Sequence, residues 1–437
     1  VAAPTPPLCA EKTEPFVILA EDHTLPFVNV FMNFRASPAF DPPGRAGLGT
    51  LAARLLPRGT LRRDRNALEE AIEALGADLV CAAQRDSVSV GGAVLTRHLE
   101  AFVGLLTEVI TAPALAESEF EKAKRELLAE LAADRDDDAT LAAVWLRRAL
   151  YTGHPFAHGT RGTIAGVTAT TREDVVAHLP TVLTRPHLII GASGDVDRAT
   201  LDRLLAPCLS ALPDTERPFE FPPMPRPAGR RVVLVDKPDR SQTQLVIGHA
   251  GMTANDPDHL AVEIATMAFG GYFSSRLMDE VRVKRGWSYG AYARLGTERA
   301  GASYVLQAAP STEYAPETAA LMLEQFEKMV EPGLTDAEIE FARESMLNAF
   351  PFRVETPALR VAQVVQARLL GRPDDSIDTW RDRVRALSPD QIRDAARRRL
   401  TPQDCAIVMV CTADDVRAKM EALPGVASVE VVPHDTP

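Results

Sequence analysis

The chain has 437 residues, 46% of them hydrophobic and 25% charged, with a formal net charge of −12. That is apolar material enough for two or three buried cores, and the acidic balance excludes the basic face that a nucleic-acid-binding protein needs. No uninterrupted apolar run approaches the roughly 18 residues of a membrane-spanning helix, so no membrane helix is expected.

In chain order, the sequence opens at Val1 without Met and runs Ala2-Ala3-Pro4-Thr5-Pro6-Pro7. This reads as a mature end left by presequence removal or as an arbitrary start, with a disordered Pro-rich tip. Strand runs follow at Val17-Ile18-Leu19 and Val28-Asn29-Val30-Phe31-Met32, then Asp41-Pro42 and an apolar helical run over 48–56. The stretches 77–81 and 88–94 read as a hairpin. Apolar residues recurring at three- and four-residue steps predict helices over 99–110, 117–133 and 141–150, and later over 317–329 and 336–348. The last of these opens on Thr335-Asp336-Ala337-Glu338, a capping-box pattern.

An internal repeat with an offset of about 215 residues organises the rest. Val232-Val233-Leu234 echoes Val17-Ile18-Leu19, Thr243-Gln244-Leu245-Val246-Ile247 echoes the second strand, and Asp256-Pro257 echoes Asp41-Pro42. Leu188-Ile189-Ile190-Gly191 with Asp195 and a helix is matched by Ile407-Val408-Met409-Val410 with Asp414-Asp415 and a helix. Between the halves the prolines from Pro213 to Pro227 prevent regular structure and suit a spacer. The reading is therefore α+β, with two homologous domains over 12–213 and 230–437, a Pro-rich linker over 214–229, and mainly antiparallel sheets covered by helices.

Several groups of residues invite a chemical reading. His154 and His158 are four apart, but Pro155 and the flanking glycines put them on a loop without a Glu between them. The acid run Asp134 and Asp136-Asp137-Asp138 reads as a solvated helix connection. Gly270-Gly271 has no following Lys-Ser/Thr and is no phosphate loop. Five cysteines form no C-x-x-C, and Cys405 and Cys411 flank an apolar run as buried strand thiols would. Around Arg282, Ser274 or Ser275 can cap a helix, Leu277 and Val281 mark its buried face, and Gly286 can stop it. From Trp287 the chain alternates as a strand. Arg282 then sits in a last helical turn and Tyr289 in the strand leaving it, where they either bind a ligand in a shared cleft or serve a helix end and a sheet face.

Two segments carry a resemblance. Gly47-Leu48-Gly49-Thr50-Leu51-Ala52-Ala53-Arg54-Leu55-Leu56-Pro57-Arg58-Gly59-Thr60 resembles the G-L-x-H-x-x-E-H-x-x-x-x-G-T stretch of the pitrilysin/insulinase family of zinc peptidases. Thr50, Ala53 and Arg54 stand where that family keeps its two histidines and its glutamate. The stretch from Phe269 to Tyr289 is similar to the family's G-G-x-x-S-S-R-L-x-x-x-V-R-x-K-x-G-x-x-Y segment. Asp41-Pro42-Pro43-Gly44-Arg45-Ala46-Gly47, Gly153-His154-Pro155, Gly162-Thr163 and Gly194-Asp195-Val196 extend the likeness over nearly the whole chain.

The resemblance implies the family's two-domain fold, and it implies that Arg282 and Tyr289 bind the substrate backbone and stabilise its carbonyl. The family's third ligand, a Glu about 77 residues after the second His position, falls on Leu131, with Glu130 adjacent and projecting elsewhere on the helix. A Thr hydroxyl is a poor zinc ligand, Ala53 cannot accept a proton, and the Arg54 cation repels a metal. No cofactor is expected in this chain. The combination resembles the non-catalytic subunit of a heterodimeric member, like the alpha subunit of the mitochondrial processing peptidase and bacterial two-subunit relatives. It implies a homologous zinc-binding partner with H-x-x-E-H, peptide substrates, and a bacterial setting in the cytoplasm or, preferentially, the periplasm. Alternatives are an inert scaffold subunit and a peptide-binding clamp.

Overall fold

A computed structural model describes residues 9–11, 15–217 and 220–436. The stretch 1–7, read above as a processed end, lies outside the described residues. The strands are β1 Cys9–Glu11, β2 Phe16–Glu21, β3 Phe27–Arg35, β4 Val80–Ala83, β5 Ser87–Leu95, β6 Leu188–Gly194, β7 Arg230–Asp236, β8 Gln244–Ala250, β9 Ser288–Leu295, β10 Ser303–Pro310, β11 Ala406–Cys411 and β12 Val426–Pro433. They form two six-stranded sheets, ordered β1-β2-β6-β3-β5-β4 and β12-β7-β11-β8-β10-β9. β2 pairs in parallel with β6, as β7 does with β11 and β12, and the other neighbours are antiparallel. The echoed runs occupy equivalent places: β2 and β7, β3 and β8, β6 and β11.

Each sheet belongs to its own compact unit. In the first, Val28, Val30 and Met32 of β3 turn alternately into a core with Leu48, Leu51, Phe102, Leu106, Leu201 and Leu205. β6 is buried along its whole length, so its second face also needs a cover. The helix Pro357–Leu369 supplies it, lying on β6 and β2. Gly191 makes this approach possible, because a methyl group there would come within 2.8 Å of Val361 Cγ1 and 2.9 Å of Val365 Cγ2. In the second unit β11 is likewise buried throughout, and the helix Asp138–Leu150 lies on β8 and β11. There a methyl on Gly248 would stand 3.1 Å from Leu146 Cδ2.

The division expected at 12–213 and 230–437 therefore needs correction. The first unit holds residues up to Leu131 with Thr160–Glu220 and Pro351–Ile377, and the second holds Ala132–Gly159, Phe221–Phe350 and the chain from Asp378 on. The reason is the doubly buried strands, since each half of the sequence contributes a helix to the other half's sheet. Residues 220–228, within the expected linker, carry no helix or strand, yet the linker is not free. Arg217 lies over the Phe40 ring in the first unit, and Phe221 packs on Phe156 in the second.

Local signals translate directly. The helix predicted over 117–133 is Glu117–Ala133, that over 336–348 runs on as Asp336–Arg353, and Thr335 and Glu338 close a capping box. The acid run is a capped connection rather than a merely solvated one. Asp137 accepts from Thr140 N at 2.6 Å, while buried Lys237 donates to Arg135 O at 2.9 Å and pairs with Asp138 at 2.6 Å. Cys405 and Cys411 are buried free thiols beside and on β11.

Candidate substrate-binding segment and the degenerate metal position

The helix Leu48–Leu55 starts at Gly47, whose φ of 108° suits glycine, and whose backbone leaves no room for a side chain beside Arg161 O and Val167. With no capping side chain of its own, the helix is capped from Asp41, which accepts from Gly47 N at 2.8 Å and Gly49 N at 3.0 Å. Burial pushes the Asp41 carboxyl up to about 6, against the pull of these backbone N–H groups. Gly162 packs on Ala46, and Thr163 caps the next short helix. The separate sequence matches at Asp41–Gly47 and Gly162-Thr163 are thus one structure around one helix.

Thr50 is buried, and its Oγ1 donates to Thr160 O at 2.6 Å. Ala53 is buried in the core. Arg54 reaches the neighbouring helix and holds Glu130 by two parallel bonds, Nη1 to Oε1 at 2.7 Å and Nη2 to Oε2 at 2.6 Å. Arg161 stands 3.9 Å from the same carboxylate, whose pKa the Arg54 hydrogen bonds hold below the ordinary glutamate range. Leu131 packs against the core. This corrects the expectation for Glu130: one position before Leu131 turns the side chain about 100° round the helix, off the apolar face and onto Arg54. A hydroxyl spent on a carbonyl, a methyl group, a guanidinium and a carboxylate already paired with it form no zinc donor set. Among the described residues no three His, Cys, Asp or Glu side chains gather as a metal site requires. His154 is also engaged: Nδ1 accepts from Phe156 N at 3.1 Å, leaving Nε2–H to donate to Pro222 O at 3.1 Å.

The second segment lies wholly within the second unit. Two π-helical turns occur along it, Met267–Gly271 at its start and Asp279–Val283 within it, and such turns re-aim side chains at functional sites. Ser275 occupies the cap position, but its hydroxyl donates instead to Tyr272 O at 2.6 Å, tightening the turn. Gly286, with φ of 67°, ends the helical run as expected, its N–H bonding Arg282 O at 2.9 Å. Arg282 thus sits on the second π-helical turn and Tyr289 on β9, the edge strand of the sheet. The two side chains meet: the Arg282 guanidinium carbon is 4.3 Å from the Tyr289 ring centroid and 4.6 Å from that of Phe273.

Tyr289 is 82% exposed and Phe273 62%, so neither ring is a core filler. The nearby acids are taken by other cations, Glu280 by Lys284 and Arg285, and Asp279 by Lys284. Among the described residues no carboxylate forms an ion pair with Arg282. Its N–H donors are open to a carbonyl from outside. Next to Tyr289 lies a cavity of about 360 Å³, walled by Leu146 of the helix Asp138–Leu150 and by Val246, Tyr292, Val305 and Ala308 of the sheet. Sequence reasoning singled out Arg282 and Tyr289, which the structure brings together, and set Glu130 aside as pointing elsewhere; it missed Phe273 and gave no sign of the cavity.

Comparison with known proteins follows the same lines. The family described as Insulinase (Peptidase family M16) matches residues 16–164, and that described as Peptidase M16 inactive domain matches residues 169–346. The chain is 24% identical to the non-peptidase homolog YmxG of Helicobacter pylori, over 90% of this chain and 91% of that protein. It is 22% identical to an uncharacterized zinc protease of Streptomyces coelicolor, over 82% and 79% of the two chains. The crystal structure of a peptidase M16 inactive domain from Pseudomonas fluorescens superposes with a TM-score of 0.86 at 23% identity, covering 93% of this chain and 98% of that one. Among the described residues no helix is long and apolar enough to cross a membrane.

Proposed function

The chain belongs to the insulinase (M16) family of peptidases, and from that premise we propose that it is the substrate-binding, non-zinc subunit of a heterodimeric metalloendopeptidase. Its partner is a homologous chain that keeps H-x-x-E-H and the zinc, whose ion supplies the activated water. This chain supplies Arg282 and Tyr289. The observation that carries the reading is the contrast between the two segments. The metal position is closed by the Arg54–Glu130 pair, while Arg282, half-buried and with no ion-pair partner among the described residues, lies beside an exposed phenol. A guanidinium and a phenol are suited to a peptide carbonyl that gains negative charge as it is attacked. The substrate is an unfolded segment, bound extended against a sheet edge of the partner, with the cavity beside Tyr289 open to one of its side chains.

The test is a mixing assay. The isolated chain should hydrolyse no peptide, the zinc-bearing partner alone should be weak, and the mixture should be active. Arg282→Ala or Tyr289→Phe should lower turnover of the mixture at least tenfold, about 1.4 kcal/mol of transition-state stabilisation. Hydrolysis by the isolated chain overturns the proposal and both inert alternatives with it; no gain on mixing overturns the proposal and leaves the scaffold or clamp.

A further inference from the structure

We infer that Phe273 is a positioning residue for Arg282: its exposed ring and that of Tyr289 flank the guanidinium and aim its edge at the substrate carbonyl. This rests on the proposed role of Arg282. An arginine carries several rotatable bonds, and on an open surface its cation wanders unless something fixes it. The usual device is an ion pair, but a carboxylate would occupy the N–H donors needed for a ligand. Two aromatic faces solve this differently, since a ring binds a cation through its π-cloud and takes none of its in-plane hydrogens. With Phe273 4.6 Å and Tyr289 4.3 Å from the guanidinium carbon, all five donors are left for oxygen acceptors.

The backbone around Phe273 is closely packed and hydrogen-bonded. A methyl on Gly270 would meet Ala293 N at 2.5 Å, and one on Gly271 would meet Met267 Sδ at 2.6 Å, so the chain passes here in close contact with its surroundings. Ser275, 4% exposed, bonds Tyr272 O through both its N–H at 3.1 Å and its hydroxyl. Phe273 lies inside that locked turn with its ring 62% exposed. An apolar ring held out to solvent over a cation that has no ion-pair partner among the described residues has a use that core packing does not explain.

Two measurements test this. In the isolated chain, the Arg282 Nε–H resonance, assigned by its loss in Arg282→Lys, should lie upfield through the ring currents. Phe273→Leu should move it back toward the position of a free arginine, and Phe273→Tyr should not. In the mixture with the zinc-bearing partner, Phe273→Leu should lower kcat about tenfold with KM, melting temperature and subunit affinity little changed, and Phe273→Tyr should restore it. An unmoved resonance, or full kcat in Phe273→Leu beside a tenfold loss in Arg282→Lys, overturns the inference and leaves the proposed function standing. If Arg282→Lys and Tyr289→Phe cost nothing, the proposed function itself falls and the positioning role falls with it.

Discussion

Arg54 and Glu130 tie the helix Leu48–Leu55 to the helix Glu117–Ala133 with a two-pronged bond, where a metal peptidase would tie its own elements through an ion. Side-chain exposures of 27% and 44% mean that solvent screens much of the attraction. Arg54→Ala should therefore cost only about 0.5–1 kcal/mol in urea unfolding, and the loss should shrink at high salt. A double-mutant cycle with Glu130→Gln should recover most of it as coupling energy. A buried histidine gives a larger effect. His249 packs against both Tyr304 and Phe326, with ring centroids 5.5 and 5.9 Å away, and those two rings also touch each other at 5.2 Å. Burial drives its pKa down to about 4 from 6.5. Between those values the unfolded chain binds the extra proton, so stability rises with pH there; the contribution is complete above about 6.5 and is lost as pH falls to about 4. Roughly 3 kcal/mol is at stake. Asp41 acts oppositely, because its raised pKa makes the fold less stable as pH rises from 3.8 toward about 6. The His249 effect should therefore be read as a difference: unfolding free energy against pH for wild type minus that for His249→Phe should climb between pH 4 and 6.5, and a flat difference contradicts it.

Elements show which signals a sequence carries. The echoed apolar runs became β2 and β7, β3 and β8, and β6 and β11, because alternation and β-branched residues are local properties. Arg282 and Tyr289 were legible for the same reason: a helix, a Gly286 stop and a strand fix where each lies. Glu130 was set aside, since the residue count placed Leu131 at the metal-facing position, whereas Leu131 turns into the core and Glu130, about 100° round the helix, comes within reach of Arg54. Phe273 was not legible, since its partner is met only through the fold. The crossing helices escaped too, because an amphipathic period says that a helix has an apolar face and not which sheet receives it. Their packing is tight enough to test. Gly191→Ala should push on Val361 and Val365 and cost about 1–3 kcal/mol as overpacking. Val361→Ala should relieve part of that cost, and the double variant should melt above the Gly191→Ala single if the helix Pro357–Leu369 sits where described.

At the scale of the whole molecule, the exchange of helices changes what a cut between the halves would do. Were the halves independent, cleaving the irregular 220–228 segment would free two proteins. Instead each fragment would keep a helix that completes the other's unit, Asp138–Leu150 on the second sheet and Pro357–Leu369 on the first. Leu141, Ala142, Leu146 and Leu150 are buried on the former, and Val361, Val364, Val365 and Leu369 on the latter. At about 1.5–3 kcal/mol for each large side chain, withdrawing either helix forfeits several kcal/mol and bares one face of a sheet. A chain with a protease site engineered into 220–228 should, once cut, still elute at the size of the intact protein and melt as a folded species. The fragments should separate only in denaturant, and each one expressed alone should bind a hydrophobic dye and aggregate. Fragments that part in native buffer as two stable domains would show that the crossing helices do not hold the units as described.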